Sequence, residues 1–189
     1  KITWKNIGGV IDLSFFLGDS PEEASQKYHQ YIGGWALPAL WHLGYHQTKF
    51  WGYRNVSHLA TILGNFENAS IPLDVLSSDL DYMRVAKNFV LDEDNFPPHE
   101  TNALFQAHRK KWVPLIDSWI PYDRSFKDFD YDKIMTVTMK DEKGNTCVGD
   151  CLLGEMYLLD YLNPNIEPIW ESLLEELNSE WTLSGFWLD

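Results

Sequence analysis

Short apolar runs ending in carboxylates constrain the fold of this 189-residue chain more than any other feature. Residues 71–82 read IPLDVLSSDLDY, with Asp79 and Asp81 at the C-terminal end. Residues 111–117 read KWVPLID and close on Asp117, and the final LSGFWLD closes on Asp189. A fourth apolar run, ALWHLGYHQ, occupies residues 39–47. Helical patterns separate them. Leu59, Ile62, Leu63 and Phe66 share one helical face, a helix is predicted around residues 100–111, and Ile166, Ile169, Trp170, Leu173 and Leu177 line another. Strand–helix alternation with short apolar strands predicts a parallel sheet with helical crossovers. In barrels of parallel strands the active site is assembled at the C-terminal strand ends, where these acids fall. Four strands make about half of an eight-stranded barrel, which takes ~250 residues, so the chain is expected to hold part of one.

The N-terminal region reads differently. Residues 7–18, IGGVIDLSFFLG, are β-rich and bracketed by glycines, as the last strand of a preceding domain would be. A helix is signalled next, with Ser20 as N-cap, Pro21 at N1 and Glu23 completing a capping box. Ala24, Tyr28, Tyr31 and Ile32 fall on one face before Gly33-Gly34 ends it. Residues 121–162 look irregular, with a hairpin candidate turning at 141–145.

Composition narrows the partners. A net charge of −13 repels polyanions, which argues against nucleic acid or an anionic membrane surface. No apolar run reaches the roughly 18 residues a membrane span needs. Nine Trp, nine Tyr and ten Phe suit a core, an interface or a sugar-binding cleft. Asn55 and Asn68 begin glycosylation sequons, which matter if the chain enters the secretory pathway. Cys147 and Cys151 lack the companions of a zinc site, so no metal is expected; a local disulfide and two free thiols are both open.

Two carboxylates about 5 Å apart across an anomeric carbon act as nucleophile and acid/base in retaining glycoside hydrolysis. On the barrel reading, Asp81, Asp117 and Asp189 converge on one pocket mouth, with Trp187 on the same side of its strand as Asp189 and available to a pyranose face. Strand-end acids also cap helices or bind loop amides, which is the competing structural role.

The ordered segments GGVIDLSFFLGDSPEEASQKYHQYIG, LPALWHLGYHQ, WGYRN, IPLDVLSSDLDYM, VPLID and SGFWLD together resemble glycoside hydrolase family 31, the family of maltase, sucrase and isomaltase. The resemblance implies that residues 1–18 end an N-terminal β-sandwich and that 19–189 form the first half of a (β/α)8 TIM barrel. It implies that Asp189 is the catalytic nucleophile, from the match of WLD to a W-x-D-M-N-E motif. Trp187 and Tyr53 would line the sugar subsite, and Asp81 would hold the hydroxyls of a non-reducing glucose. Asp117, with Asp79, is expected to be structural. The implied activity is release of glucose from α-glucosides, without cofactor or metal, in a secreted, lysosomal or membrane-tethered ectodomain. The partners are an α-linked substrate and the rest of the same barrel, which would carry the acid/base.

The sequence also departs from the family pattern. Ser118 replaces a proline, one residue is added before Tyr53, and Leu152 stands where a subsite tryptophan is usual. These departures motivate a second reading, a diverged homologue that binds sugar or a protein partner without cleaving.

Overall fold

A computed structural model describes residues 2–6, 8–125, 129–151 and 154–189. The chain divides into two units, Lys1–Ala39 and Leu40–Asp189.

In the first unit, helix α1 (Pro21–Tyr31) starts as its sequence dictates. Ser20 Oγ accepts the Glu23 N–H at 3.2 Å. The reciprocal Glu23 bond goes one residue upstream, to the Asp19 N–H at 2.7 Å. Gly33 and Gly34, with φ of 80° and 90°, carry the chain out of the helix. Phe16 packs on the apolar face, 5.5 Å from Tyr28 and 5.4 Å from Tyr31 between ring centres. The strand expected over residues 7–18 does not form among the described residues. A strand needs a hydrogen-bonding neighbour, and this run has none there; Val10, Ile11, Phe15 and Leu17 stay exposed.

The second unit alternates as expected. Strand β1 (His46–Gln47) is followed by helix α2 (Val56–Asn68) and strand β2 (Val75–Leu76). Helix α3 (Pro98–Ala107) leads to β3 (Lys111–Trp112) and β4 (Leu115–Ile116). Then come β5 (Trp119–Pro121), α4 (Tyr131–Thr136), β6 (Val148–Cys151), β7 (Gly154–Leu158), α5 (Ile166–Glu180) and β8 (Trp187–Leu188). The β1–β2, β2–β3 and β4–β8 pairs are all parallel. β3 and β4 are two pieces of one barrel strand, separated where Pro114 has no N–H to donate. The Leu115 N–H reaches Ser78 O at 2.8 Å on one side, and the Trp187 N–H reaches Pro114 O at 2.9 Å on the other. The result is one parallel ladder in the order β1, β2, β3/β4, β8.

Two expectations need correction. The run at 39–47 holds a 3-10 turn (Leu40–Leu43), and only His46–Gln47 pair as strand. The described residues of 121–162 carry regular structure rather than an irregular path: β5, β7 and β6 form an antiparallel sheet. The hairpin turn at 141–145 is present, with Gly144 at φ 83° and the Asp141 carboxylate accepting from the Lys143 and Asn145 N–H groups.

The helices cover the ladder with the faces their periodicity marked. Leu59 and Leu63 of α2, Phe105 of α3, and Leu173 and Leu177 of α5 are buried against Leu76, Leu115 and Ile116. Much of the aromatic surplus lies here. Trp112 meets Phe105 at 5.3 Å and Trp181 at 4.8 Å, with Tyr82 5.3 Å from Trp181. No helix of the described residues is long and apolar enough to cross a membrane.

Candidate active site

The C-terminal ends of β2, β4 and β8 open onto a cavity of about 180 Å³. Asp79, Leu80, Leu115, Asp117, Trp119 and Asp189 line it with Phe50 and Cys151. Three of the four strand-end aspartates therefore meet. Parallel pairing brings two of them side by side: Leu115 and Ile116 stand opposite Trp187 and Leu188, so the next residues, Asp117 and Asp189, leave the ladder together.

The fourth aspartate lies apart from this lining. β2 ends at Leu76, and a 3-10 turn (Leu80–Tyr82) follows, so the period of two that would align Asp79 with Asp81 is broken. Asp79 caps that turn through the Leu80 N–H at 2.8 Å and faces the cavity. Asp81 instead accepts the Tyr53 N–H at 3.2 Å, and its other oxygen is buried without a hydrogen-bond partner among the described residues. Tyr53 is 2% exposed and belongs to the core cluster. Trp187 is half-buried and also packs on the core. Neither residue is among those lining this cavity. Leu152 lies outside the described residues.

Electrostatics set the acids apart from ordinary surface carboxylates. Burial first, then the charges of Asp189 and Asp79, push Asp117 up to about 6. Burial also raises Asp81 to about 6, against the opposing Tyr53 hydrogen bond and with a further push from Asp79. Asp79 is raised by burial and by Asp189, with its Leu80 hydrogen bond working the other way.

A residue without any sequence signal holds this end of the barrel together. Asn88, fully buried, donates to the carbonyls of Asp117 and Trp119, each at 2.7 Å, and accepts the Asp117 N–H at 3.1 Å. Its neighbour Phe89 and the nearby Val85 and Ala86 adopt left-handed φ of 62°, 44° and 52°. Such values are outliers for bulky residues, and they persist only where the surroundings hold them.

Away from the cavity, Asn55 caps α2 by accepting the His58 N–H at 2.9 Å, and Asn68 is exposed at the other end of the same helix. Cys147 and Cys151 form no disulfide with each other.

A parallel α/β barrel with carboxylates gathered at its C-terminal strand ends is the architecture of a large class of enzymes. The family profile described as "Glycosyl hydrolases family 31 TIM-barrel domain" matches residues 35–189, and the chain belongs to that family. It is 33% identical over 191 residues to a probable α-glucosidase of Oryza sativa subsp. japonica, covering 100% of this chain and 21% of that protein. Against a lysosomal acid α-glucosidase of Tetrahymena pyriformis it is 31% identical over 196 residues, covering 100% and 21%. The crystal structure of a glucosidase II alpha subunit, in its α3-Glc2-bound form, superposes with a TM-score of 0.78 at 25% identity. That match covers 91% of this chain and 19% of the other. The chain spans about a fifth of the length of the curated relatives it matches.

Proposed function

We propose that this chain supplies one wall of the active site of a retaining α-glucosidase. The observation that carries the reading is the convergence of Asp79, Asp117 and Asp189, from three parallel strands, on one cavity. Asp189 is the nucleophile. It attacks the anomeric carbon of a non-reducing glucosyl unit, the aglycone oxygen leaves with a proton from an acid elsewhere in the barrel, and water then cleaves the glycosyl ester. Asp79, which faces the same cavity, holds sugar hydroxyls, the role the sequence pointed to at Asp81. Asp81 steadies the Tyr53 loop from below. Asp117, raised to about 6 by burial and by the charges of Asp189 and Asp79, takes up a proton more readily than an ordinary carboxylate and so eases the repulsion among the three acids as pH falls. The substrate is an α-linked glucoside.

Residues 1–18 would close a β-sandwich ahead of the barrel. The exposed sequon at Asn68, together with a lysosomal relative, supports a secretory-pathway location with a glycan there. Intact-mass analysis before and after glycan removal checks this; a bare Asn68 in protein from a secretory host contradicts it.

The function is tested in the full-length protein containing this chain, with an aryl α-glucoside. Wild type turns over, and Asp189→Asn loses on the order of 10³-fold or more in kcat. A wild type that binds glucose without turning over the glucoside would support the non-cleaving reading. An active Asp189→Asn would remove Asp189 from the nucleophile role.

A further inference from the structure

Resting on the α-glucosidase reading, we infer that Asn88 is a positioning residue for the nucleophile. It acts on Asp189 through the single peptide group that joins Ile116 to Asp117. The N–H of that peptide, on Asp117, donates to Asn88 Oδ1 at 3.1 Å. Its carbonyl, on Ile116, accepts the Asp189 N–H at 3.0 Å. Asn88, one peptide plane and Asp189 therefore form a continuous chain of hydrogen bonds, whose members polarise and strengthen one another. The plane is rigid, so a shift at its N–H is carried to the carbonyl that holds Asp189.

The remaining contacts of Asn88 fix the same place. After Asp117 the chain leaves the parallel ladder for β5, which pairs antiparallel with β7. Asn88 Nδ2 holds this departure by donating to Asp117 O and Trp119 O, each at 2.7 Å. Among side chains of this length only the Asn amide offers two donors and an acceptor together. The segment that delivers it doubles back on itself, closed by the Met83–Leu91 bridge and by the Arg84 N–H to Val90 O bond at 2.8 Å. It does so at the cost of left-handed φ at Val85, Ala86 and Phe89. Tyr82, at the start of this segment, already ties it to β4 at Leu115 O. That tie secures the packing. The Asn88 bonds fall instead on the peptide that holds Asp189.

The test compares wild type, Asn88→Ala, Asn88→Asp and Tyr82→Phe in the full-length protein, by kinetics with an aryl α-glucoside at pH 5 and by melting temperature. Asn88→Ala should lower kcat by on the order of 10²-fold, the cost of misplacing a reacting group by about 1 Å, with KM within about threefold. Asn88→Asp keeps the acceptor and, while so buried a carboxyl stays protonated, one of the two donors. Its kcat should fall only about tenfold. Tyr82→Phe should lower the melting temperature yet keep kcat within about twofold, because its bond does not touch the 116–117 peptide. With wild type active, an unchanged kcat in Asn88→Ala overturns the role of Asn88 and leaves the α-glucosidase reading standing. An equal loss of kcat in Tyr82→Phe also overturns it, by tracing the effect to stability alone. If Asn88→Ala does not fold, Asn88→Asp decides against Tyr82→Phe: a tenfold loss in Asn88→Asp alone supports the role, and equal kcat overturns it. A wild type without turnover would end the α-glucosidase reading, and the positioning role with it.

Discussion

Burial raises two of the strand-end acids above the ordinary carboxylate range. Asp81 and Asp117 each sit at about 6 instead of the ordinary 3.8. The folded chain therefore binds more protons than the unfolded chain between about pH 4 and 6, and the stability these groups contribute falls as pH rises through that window. Asp117→Asn removes one of these raised carboxyls. Its melting temperature should climb above that of wild type as pH goes from about 4 to 6, and the gap should persist at pH 7. A gap that shrinks with rising pH contradicts the raised value. The choice between Asp79 and Asp81 is also a residue-scale question. The sequence placed both on one strand end and favoured Asp81; a 3-10 turn, which period-two reasoning does not foresee, gives Asp79 the cavity. Asp79→Ala should accordingly raise KM for an α-glucoside more than Asp81→Ala does. The reverse order would return the sugar to Asp81.

The elements follow the sequence wherever burial and capping agree. Ser20, Pro21 and Glu23 marked the start of α1, and the apolar faces of α2 and α5 became the buried ones. Legibility fails where one element hands over to the next. Pro114 splits the third barrel strand, and Arg109, at a left-handed φ of 51°, ends α3 before the run of helix formers does. The β5–β7–β6 sheet was unreadable because VGDC and GEMYL lack a clean apolar alternation. Long-range ties repair these joints. The Tyr82 hydroxyl donates to Leu115 O at 2.6 Å after β2 has ended, joining the 3-10 turn to β4. Tyr82→Phe should cost about 1–3 kcal/mol in urea unfolding, because it orphans a buried carbonyl. No change would mean that another donor reaches Leu115 O.

At the scale of the molecule, four parallel strands and their helices make a segment of a barrel whose outer strands, β1 and β8, each keep one edge without a partner among the described residues. The interior is held by an aromatic cluster around the fully buried Trp112 and Trp181. Trp181→Ala should destabilise the chain by about 3–5 kcal/mol, measured by chemical unfolding. The architecture was legible because strand ends, acids and helix spacing all pointed to one barrel. Of the cavity, the sequence marked the strand-end acids, whereas the places of Trp119 and Asn88 depend on contacts far apart in sequence. The central claim is that Asp189 carries the glycosyl group. It is tested most directly by trapping the full-length protein with a 2-deoxy-2-fluoro or 5-fluoro glucosyl fluoride, then mapping the adduct by peptide mass spectrometry. The account predicts one glycosyl adduct, on the carboxylate of Asp189; an adduct on another residue, with Asp189 unmodified, would contradict it.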